Sequence, residues 1–395
     1  MPTGCGNAGM KNLSYRDMLE ATRLTRAGEL GQATALLQRL LRGDTPADHR
    51  VPNADDPTPS PHAPTAARSV LEKIKHLGSS LGLKRPPAIE PSDLVPAGGQ
   101  FIAGSCSNQA GSRDYKLYIS SGYHGQAVPL VVMLHGCTQS PDDFAAGTRM
   151  NVVAEQHACF VLYPAQAASA NSAKCWNWFR RSDQQRGQGE PSLIADITRK
   201  VMREYAVDRG RVYIAGISAG GAAAAIMGST YPDLYAAIGV HSGVACGIAS
   251  DLQSAFAAMR EGGIPIRAPN PAGSAGKSAR IVPTIVFHGD RDTTVHPRNG
   301  DGIIAHSKAD LELRTSVHRG QIPQGRAYTR TVHSDETGQS VLEQWDVHDA
   351  GHAWSGGSPA GSYTDPSGPD ASREMMRFFL EHRHQGAVLM DAIDA

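Results

Sequence analysis

The sequence has no excess charge of either sign: 38 lysines and arginines balance 38 aspartates and glutamates over 395 residues. A cationic face for nucleic acid or for an anionic membrane is therefore not expected, and an uncharged or mixed substrate fits better. Cysteine is sparse. The six (Cys5, Cys106, Cys137, Cys159, Cys175 and Cys246) show no Cys-x-x-Cys spacing, which argues against a zinc site or a dithiol redox motif and leaves one or two disulfides open without naming them. No apolar run approaches the length of a membrane span, and residues 1–20 lack the uninterrupted apolar stretch of a secretory signal. A cytoplasmic location is the resulting expectation. Aromatic residues make up only 6% of the chain, with four tryptophans.

What is present divides the chain into unequal parts. Its length exceeds that of one ordinary domain, so one large α/β domain with appendages is expected. In residues 1–43 apolar side chains recur at helical spacing (Met18, Leu19, Leu24, Leu30, Leu36, Leu37, Leu40), and Gly28 and Gly31 interrupt them. This predicts a hairpin of two amphipathic helices, packed on the rest of the chain or on its own copy, or adhering to an apolar particle. Residues 44–98 turn to Pro, Asp, Thr and His without periodicity and read as a linker with a short helix over 66–81. A catalytic domain over 99–385 and a tail over 386–395 complete the division.

Within 99–385 strand and helix signals alternate. Strands are expected at 115–119 (alternating, as at a sheet edge), 130–134 (apolar throughout), 159–163, 212–215, 236–240, 284–287 and 341–347. Helices are expected at 145–157, 192–205, 219–230 and 371–382, the last capped by Asp370. That order argues a mostly parallel sheet covered by helices on both faces. Residues 262–278, rich in Gly, Pro and Ala, read as an inserted loop over one edge of the site.

The most informative stretch is Gly216-Ile217-Ser218-Ala219-Gly220-Gly221, with a strand before it and a helix after it. A serine hydroxyl exposed at such a turn needs small neighbours, because the chain reverses sharply there. Serine needs a base, and the base an orienting carboxylate, in the chain order Ser, acid, His. Downstream, His288-Gly289-Asp290-Arg291-Asp292 follows a strand, and Asp292 is preferred over Asp290, which sits closer to the strand end and is suited to closing the turn. Gly351-His352-Ala353-Trp354 follows the last strand and supplies His352 as base, preferred over His348. Oxyanion donors are expected from the backbone N–H groups of Ala219 and of Cys137 in His135-Gly136-Cys137-Thr138-Gln139. A disulfide from Cys137 to Cys175 or Cys246 is compatible with this. Trp176 and Trp178 either line an acyl or polymer cleft or pack their own loop, and Asn177 and Arg180 are candidates to orient the ester.

Taken together, Leu134-His135-Gly136-Cys137-Thr138-Gln139, Cys175-Trp176-Asn177-Trp178, Gly216 to Gly221, His288-Gly289-x-x-Asp292 and Gly351-His352-Ala353-Trp354-Ser355-Gly356-Gly357 resemble the poly(3-hydroxybutyrate) depolymerase family of esterases, in its order. The resemblance runs from about Gly99 to the closing helix. It implies an α/β-hydrolase fold, Ser218, Asp292 and His352 as catalytic residues, and Cys137 and Ala219 as oxyanion donors. Beside it, the residues themselves make His135, Gly136, Trp176, Trp178 and Trp354 the candidates for substrate contact. No metal or organic cofactor is implied. The substrates implied are hydroxybutyrate polyesters, feruloyl esters or acetylated xylan. Secreted polymer-degrading relatives resemble a catalytic domain joined to a C-terminal binding module, and they carry a signal peptide. Neither is found here, so an intracellular enzyme on storage granules or soluble oligomers is expected, with the N-terminal hairpin as the granule-contacting element and the oligomeric state open.

Overall fold

A computed structural model describes residues 89–263, 282–308 and 311–384, all within one compact unit, Lys84–Ala395. The expected hairpin, the linker up to residue 88, most of the 262–278 loop and the C-terminal tail lie outside the described residues. In chain order the elements are helix α1 (Pro91–Leu94), strands β1 (Gln100–Asn108), β2 (Gly111–Ile119) and β3 (Val128–Leu134), helices α2 (Pro141–Thr148) and α3 (Met150–Gln156), and β4 (Phe160–Pro164). Then come α4 (Gly189–Glu204), β5 (Val207–Ile217), α5 (Ala219–Thr230), β6 (Ala237–His241), α6 (Leu252–Glu261), β7 (Thr284–Gly289) and α7 (Arg298–Lys308). The chain closes with β8 (Arg314–Gln321), β9 (Ala327–Ser334), β10 (Ser340–Val347), the short pair β11 (Trp354–Ser355) and β12 (Thr364–Asp365), and α8 (Ala371–Leu380).

Ten strands form one sheet in the order β1-β2-β4-β3-β5-β6-β7-β10-β9-β8. From β4 to β10 every pairing is parallel; β2, β1, β9 and β8 extend the two edges antiparallel. Period-two alternation divides the core in two. Leu130, Val132 and Leu134 of β3 join Ile194 and Ile197 of α4 and Ala222 to Met227 of α5 on one face. Val131 and Met133 point the other way, into Phe144, Met150, Val153 and the Met375, Met376, Phe378, Phe379 stripe of α8. Asp370 caps α8 by accepting from the Arg373 N–H at 3.0 Å. Among the described residues no helix is long and apolar enough to cross a membrane.

Two expectations need correcting, and one hairpin carries no sequence signal. The helix expected over 145–157 is two helices, because Arg149 adopts a left-handed backbone (φ 54°) and ends α2 through its N–H bond to the Ala145 carbonyl. The strand at 115–119 is part of a longer β2 that lies second from the edge, with β1 outside it. The hairpin β8–β9 was not expected at all. Its residues, Arg-Thr-Ser-Val-His-Arg-Gly-Gln in β8, are exposed on both faces, so neither alternation nor an apolar run marks them.

The register aligns the carboxyl ends of the central strands. Leu134 of β3 pairs with Gly216 of β5, Ile217 with His241 of β6, His241 with Phe287 of β7, and Gly289 with Val347 of β10. The loops that follow these strands carry residues 135–139, Ser218, Asp292 and His352 to one edge of the sheet.

Candidate active site

Ser218 joins β5 to α5 with φ 57° and ψ −121°, a strained conformation for a residue with a side chain. Its N–H donates to the His241 carbonyl at 2.9 Å, and its own carbonyl accepts from Ala222 N–H at 2.9 Å, so the turn is pinned to the neighbouring strand and to the helix. The flanking glycines are required by contact. A β-carbon on Gly216 would lie 2.4 Å from the Gly220 carbonyl, and one on Gly220 would lie 2.0 Å from the Leu134 oxygen. Ala219 opens α5, where the first N–H groups of a helix have no intrahelical acceptor.

Asp292 is buried in the loop after β7. One carboxylate oxygen, Oδ1, accepts from the N–H groups of Thr294 and Val295, each at 2.9 Å. The other, Oδ2, lies 2.7 Å from His352 Nδ1 and 3.5 Å from His288 Nε2. Burial pushes the carboxyl pKa up, but the hydrogen bonds from His288, His352 and Val295 outweigh it and hold the group well below the ordinary carboxylate range. Asp290, half exposed, instead binds His348 Nδ1 at 3.1 Å and the Asp349 N–H at 2.7 Å, tying its loop to the one after β10. The geometry therefore brings Asp292, not Asp290, to His352.

The loop 135–139 is held from several sides. His135 Nδ1–H donates to the Gly136 carbonyl at 2.8 Å, and its Nε2 accepts from the Gln166 N–H at 3.0 Å. Gly136 N–H donates to Gln139 Oε1 at 2.9 Å, and Thr138 N–H to the Ala173 carbonyl at 2.6 Å. A disulfide joins Cys137 to Cys175, leaving Cys246 free. Next to it, Trp176 Nε1–H donates to the His135 carbonyl at 3.1 Å.

These contacts revise the expected substrate contacts. His135, Trp176 and Trp354 are each 1% exposed, so they back the site without offering surface to a ligand. Trp178 is also buried, edge-on to Phe179. Asn177 faces inward too: its N–H and Nδ2 donate to Glu190 at 2.7 and 2.6 Å, which occupies the side chain expected to orient an ester. Arg180 is exposed.

Three residues escaped the sequence reading. Glu190, on the first turn of α4, is buried and gathers Asn177, Gln166 and Arg113; burial raises its carboxyl pKa. His241 lies between Trp354 and Phe287, with centroids 5.0 and 5.8 Å away, and its Nε2 accepts from the Ser355 N–H at 3.0 Å. Tyr363 stands about half exposed at the rim, its hydroxyl 3.2 Å from Thr138 Oγ1. No spacing rule singles out an isolated histidine, glutamate or tyrosine. Among the described residues no cluster of histidine, cysteine and carboxylate side chains is arranged to hold a metal ion.

Two of the buried histidines, His135 and His241, predict acid lability. Burial lowers the His135 pKa to about 4 and the His241 pKa to about 3. Because both are depressed in the folded state, their stabilisation is complete above about pH 6.5 and is lost as the pH falls from there toward the folded values, at up to about 1.4 kcal/mol per pH unit for each group. Thermal unfolding between pH 7.5 and 4.5 is expected to show Tm falling through this window, with a shallower fall in His241→Gln. A flat Tm across that range would contradict the buried neutral assignment.

A family model described as esterase PHB depolymerase matches residues 113–312. The poly(3-hydroxyalkanoate) depolymerase C of Paucimonas lemoignei is 30% identical over 244 residues, 60% of this chain and 57% of that protein. A probable acetylxylan esterase A of Aspergillus clavatus is 29% identical over 183 residues, 43% of this chain and 58% of that one. Feruloyl esterase B of Neurospora crassa is 28% identical over 220 residues, 52% of this chain and 73% of that one. The match thus spans less than two thirds of the length of the first two relatives. Among solved structures, the acetyl xylan esterase from Aspergillus awamori superposes with a TM-score of 0.55 at 21% identity, covering 72% of this chain and 99% of that one, a likeness of fold.

Proposed function

Since this chain belongs to the esterase PHB depolymerase family, we propose that it is a serine carboxylesterase that hydrolyses poly(3-hydroxybutyrate) or its oligomers through an acyl-enzyme. The observation that carries the reading is the 2.7 Å contact between Asp292 and His352 Nδ1 at the strand edge that also holds the Ser218 turn. With its Nδ1–H committed to Asp292, His352 has Nε2 free to accept a proton. Ser218 Oγ adds to the ester carbonyl as His352 takes its proton. The tetrahedral oxyanion is met by the N–H groups of Cys137 and Ala219. Collapse breaks the C–O bond, and His352 returns the proton to the leaving hydroxyl. Water, deprotonated by His352, then releases 3-hydroxybutyrate or an oligomer and restores Ser218. No metal or organic cofactor enters this scheme.

The second reading, a feruloyl or acetylxylan esterase, is favoured by the names of the fungal relatives. A third, an inactive granule coat, is opposed by the Asp292–His352 contact. Action in the cytoplasm at polyester granules, contacted through residues 1–43, belongs to the proposal. The Cys137–Cys175 disulfide weighs against that location, because the cytosol keeps thiols reduced.

The test is product analysis with amorphous poly(3-hydroxybutyrate) granules, methyl ferulate and acetylated xylan. The expected outcome is release of hydroxybutyrate monomer or oligomers with little ferulate or acetate. Ferulate or acetate release with inert granules would transfer the substrate to plant esters.

A further inference from the structure

We infer that His288 is a positioning residue for the proposed triad: its Nε2–H shares the buried Asp292 carboxylate with His352 and holds that carboxylate in the orientation His352 requires. The inference rests on the serine-esterase reading above. His288 is the penultimate residue of β7, and its side chain is 1% exposed. Its Nε2 lies 2.8 Å from the Val295 carbonyl oxygen and 3.5 Å from Asp292 Oδ2. A carbonyl and an ionised carboxylate are both acceptors, so the hydrogen must be on Nε2. The opposite nitrogen, Nδ1, is buried without a hydrogen-bond partner. The first turn of α7 closes over it, since a β-carbon on Gly300 would stand 3.2 Å from Nδ1.

A buried imidazole must set its N–H against an acceptor. This one leaves Nδ1 unpaired and turns its single N–H toward the turn that carries Asp292. That turn is therefore fixed at both ends: Val295 N–H binds Asp292 Oδ1, and the Val295 carbonyl accepts from His288. On Oδ2, the stronger contact with His352 and the longer one with His288 lie on a single oxygen, which restricts rotation of the carboxylate. Removing the His288 donor leaves a more basic carboxylate that binds the His352 imidazolium more tightly. The acid limb of kcat/KM then moves to higher pH. The other ionisable groups about this cluster are His241 from β6, with Asp365 acting on it, and Asp346 from β10, on which Asp301 of α7 and His348 act. They are common to every variant compared.

The experiment measures kcat, KM and the pH profile with 4-nitrophenyl butyrate for the full chain and for His288→Leu, His288→Gln and His288→Asn, with Ser218→Ala as control. In His288→Gln an amide N–H can stand near the Nε2 position, whereas the shorter asparagine cannot reach Asp292. Leu and Asn are expected to lose on the order of 10- to 100-fold in kcat, as outer-shell orienting contacts do, with little change in KM. Their acid limb is expected to rise by roughly half a pH unit. Gln is expected to recover most of kcat and the original limb. Should His288→Leu fail to fold, the Asn and Gln pair carries the comparison alone. Equal losses in Asn and Gln with an unmoved acid limb would reduce His288 to packing and overturn the inference. Full turnover by Ser218→Ala would overturn the serine-nucleophile reading itself, whatever the His288 variants do.

Discussion

Ser218→Ala is expected to lower kcat for ester hydrolysis by on the order of 10⁴- to 10⁶-fold while leaving the fold intact. The variant removes the one protein atom in the proposed scheme that bonds to the acyl carbon, and what remains is the rate supplied by binding and by the oxyanion donors. The contacts that hold the turn survive. The N–H to the His241 carbonyl and the carbonyl to Ala222 N–H belong to the backbone, and alanine tolerates the φ of 57° about as well as serine does. Initial rates with 4-nitrophenyl butyrate, beside a melting curve, separate the two effects. Unchanged Tm with lost activity is the expected result; retained activity would remove Ser218 from the reaction.

Asp292→Asn is expected to lower kcat by on the order of 10³- to 10⁴-fold, through the tautomer of His352. Oδ1 faces two backbone N–H groups, and Oδ2 faces His352 Nδ1 and His288 Nε2. Whichever way the amide turns, its NH₂ meets donors. With the NH₂ toward His352, relief comes when the imidazole carries its hydrogen on Nε2, the nitrogen that must accept the proton of Ser218. Stability should fall as well, because the amide cannot accept all of the bonds the carboxylate accepts. Asp290→Asn is the matched control: its partners are His348 and the Asp349 N–H, away from His352, and its kcat should stay within about threefold, as for a surface change. Equal losses in the two variants would contradict the separation of roles.

The contrast between the two aspartates shows which features were legible in the sequence. A strained serine turn, a strand ending in His-Gly-x-x-Asp and a glycine-preceded histidine after the last strand impose residue types at set spacings, so they can be read without coordinates. The strands buried on both faces, β3 above all, are visible as unbroken apolar runs. The edge strands were harder. β8 has no buried position, and β1 alternates only partly. They are held by ladder hydrogen bonds to a neighbour, which leave little trace in side-chain type. The break at Arg149 depends on one left-handed residue between two stretches that each look helical.

Buried polar residues were the hardest of all. Glu190 sits on a helix otherwise marked by its apolar face, and its partners Gln166, Asn177 and Arg113 come from distant parts of the chain. Trp176 and Asn177 drew attention because tryptophan is rare here, and the sequence could not show that they turn inward to brace His135 and meet Glu190. His241 occupies a strand end, and its importance comes from what the fold stacks on it.

The measurement that tests the central claim most directly is peptide mass mapping after acid quench of the protein during turnover of 4-nitrophenyl 3-hydroxybutyrate. The account predicts one hydroxybutyryl group, on the peptide that contains Ser218, lost again when the sample is left to turn over before the quench and absent from Ser218→Ala. Turnover with Ser218 unmodified and the acyl group on another residue, or undiminished turnover in Ser218→Ala, would contradict it.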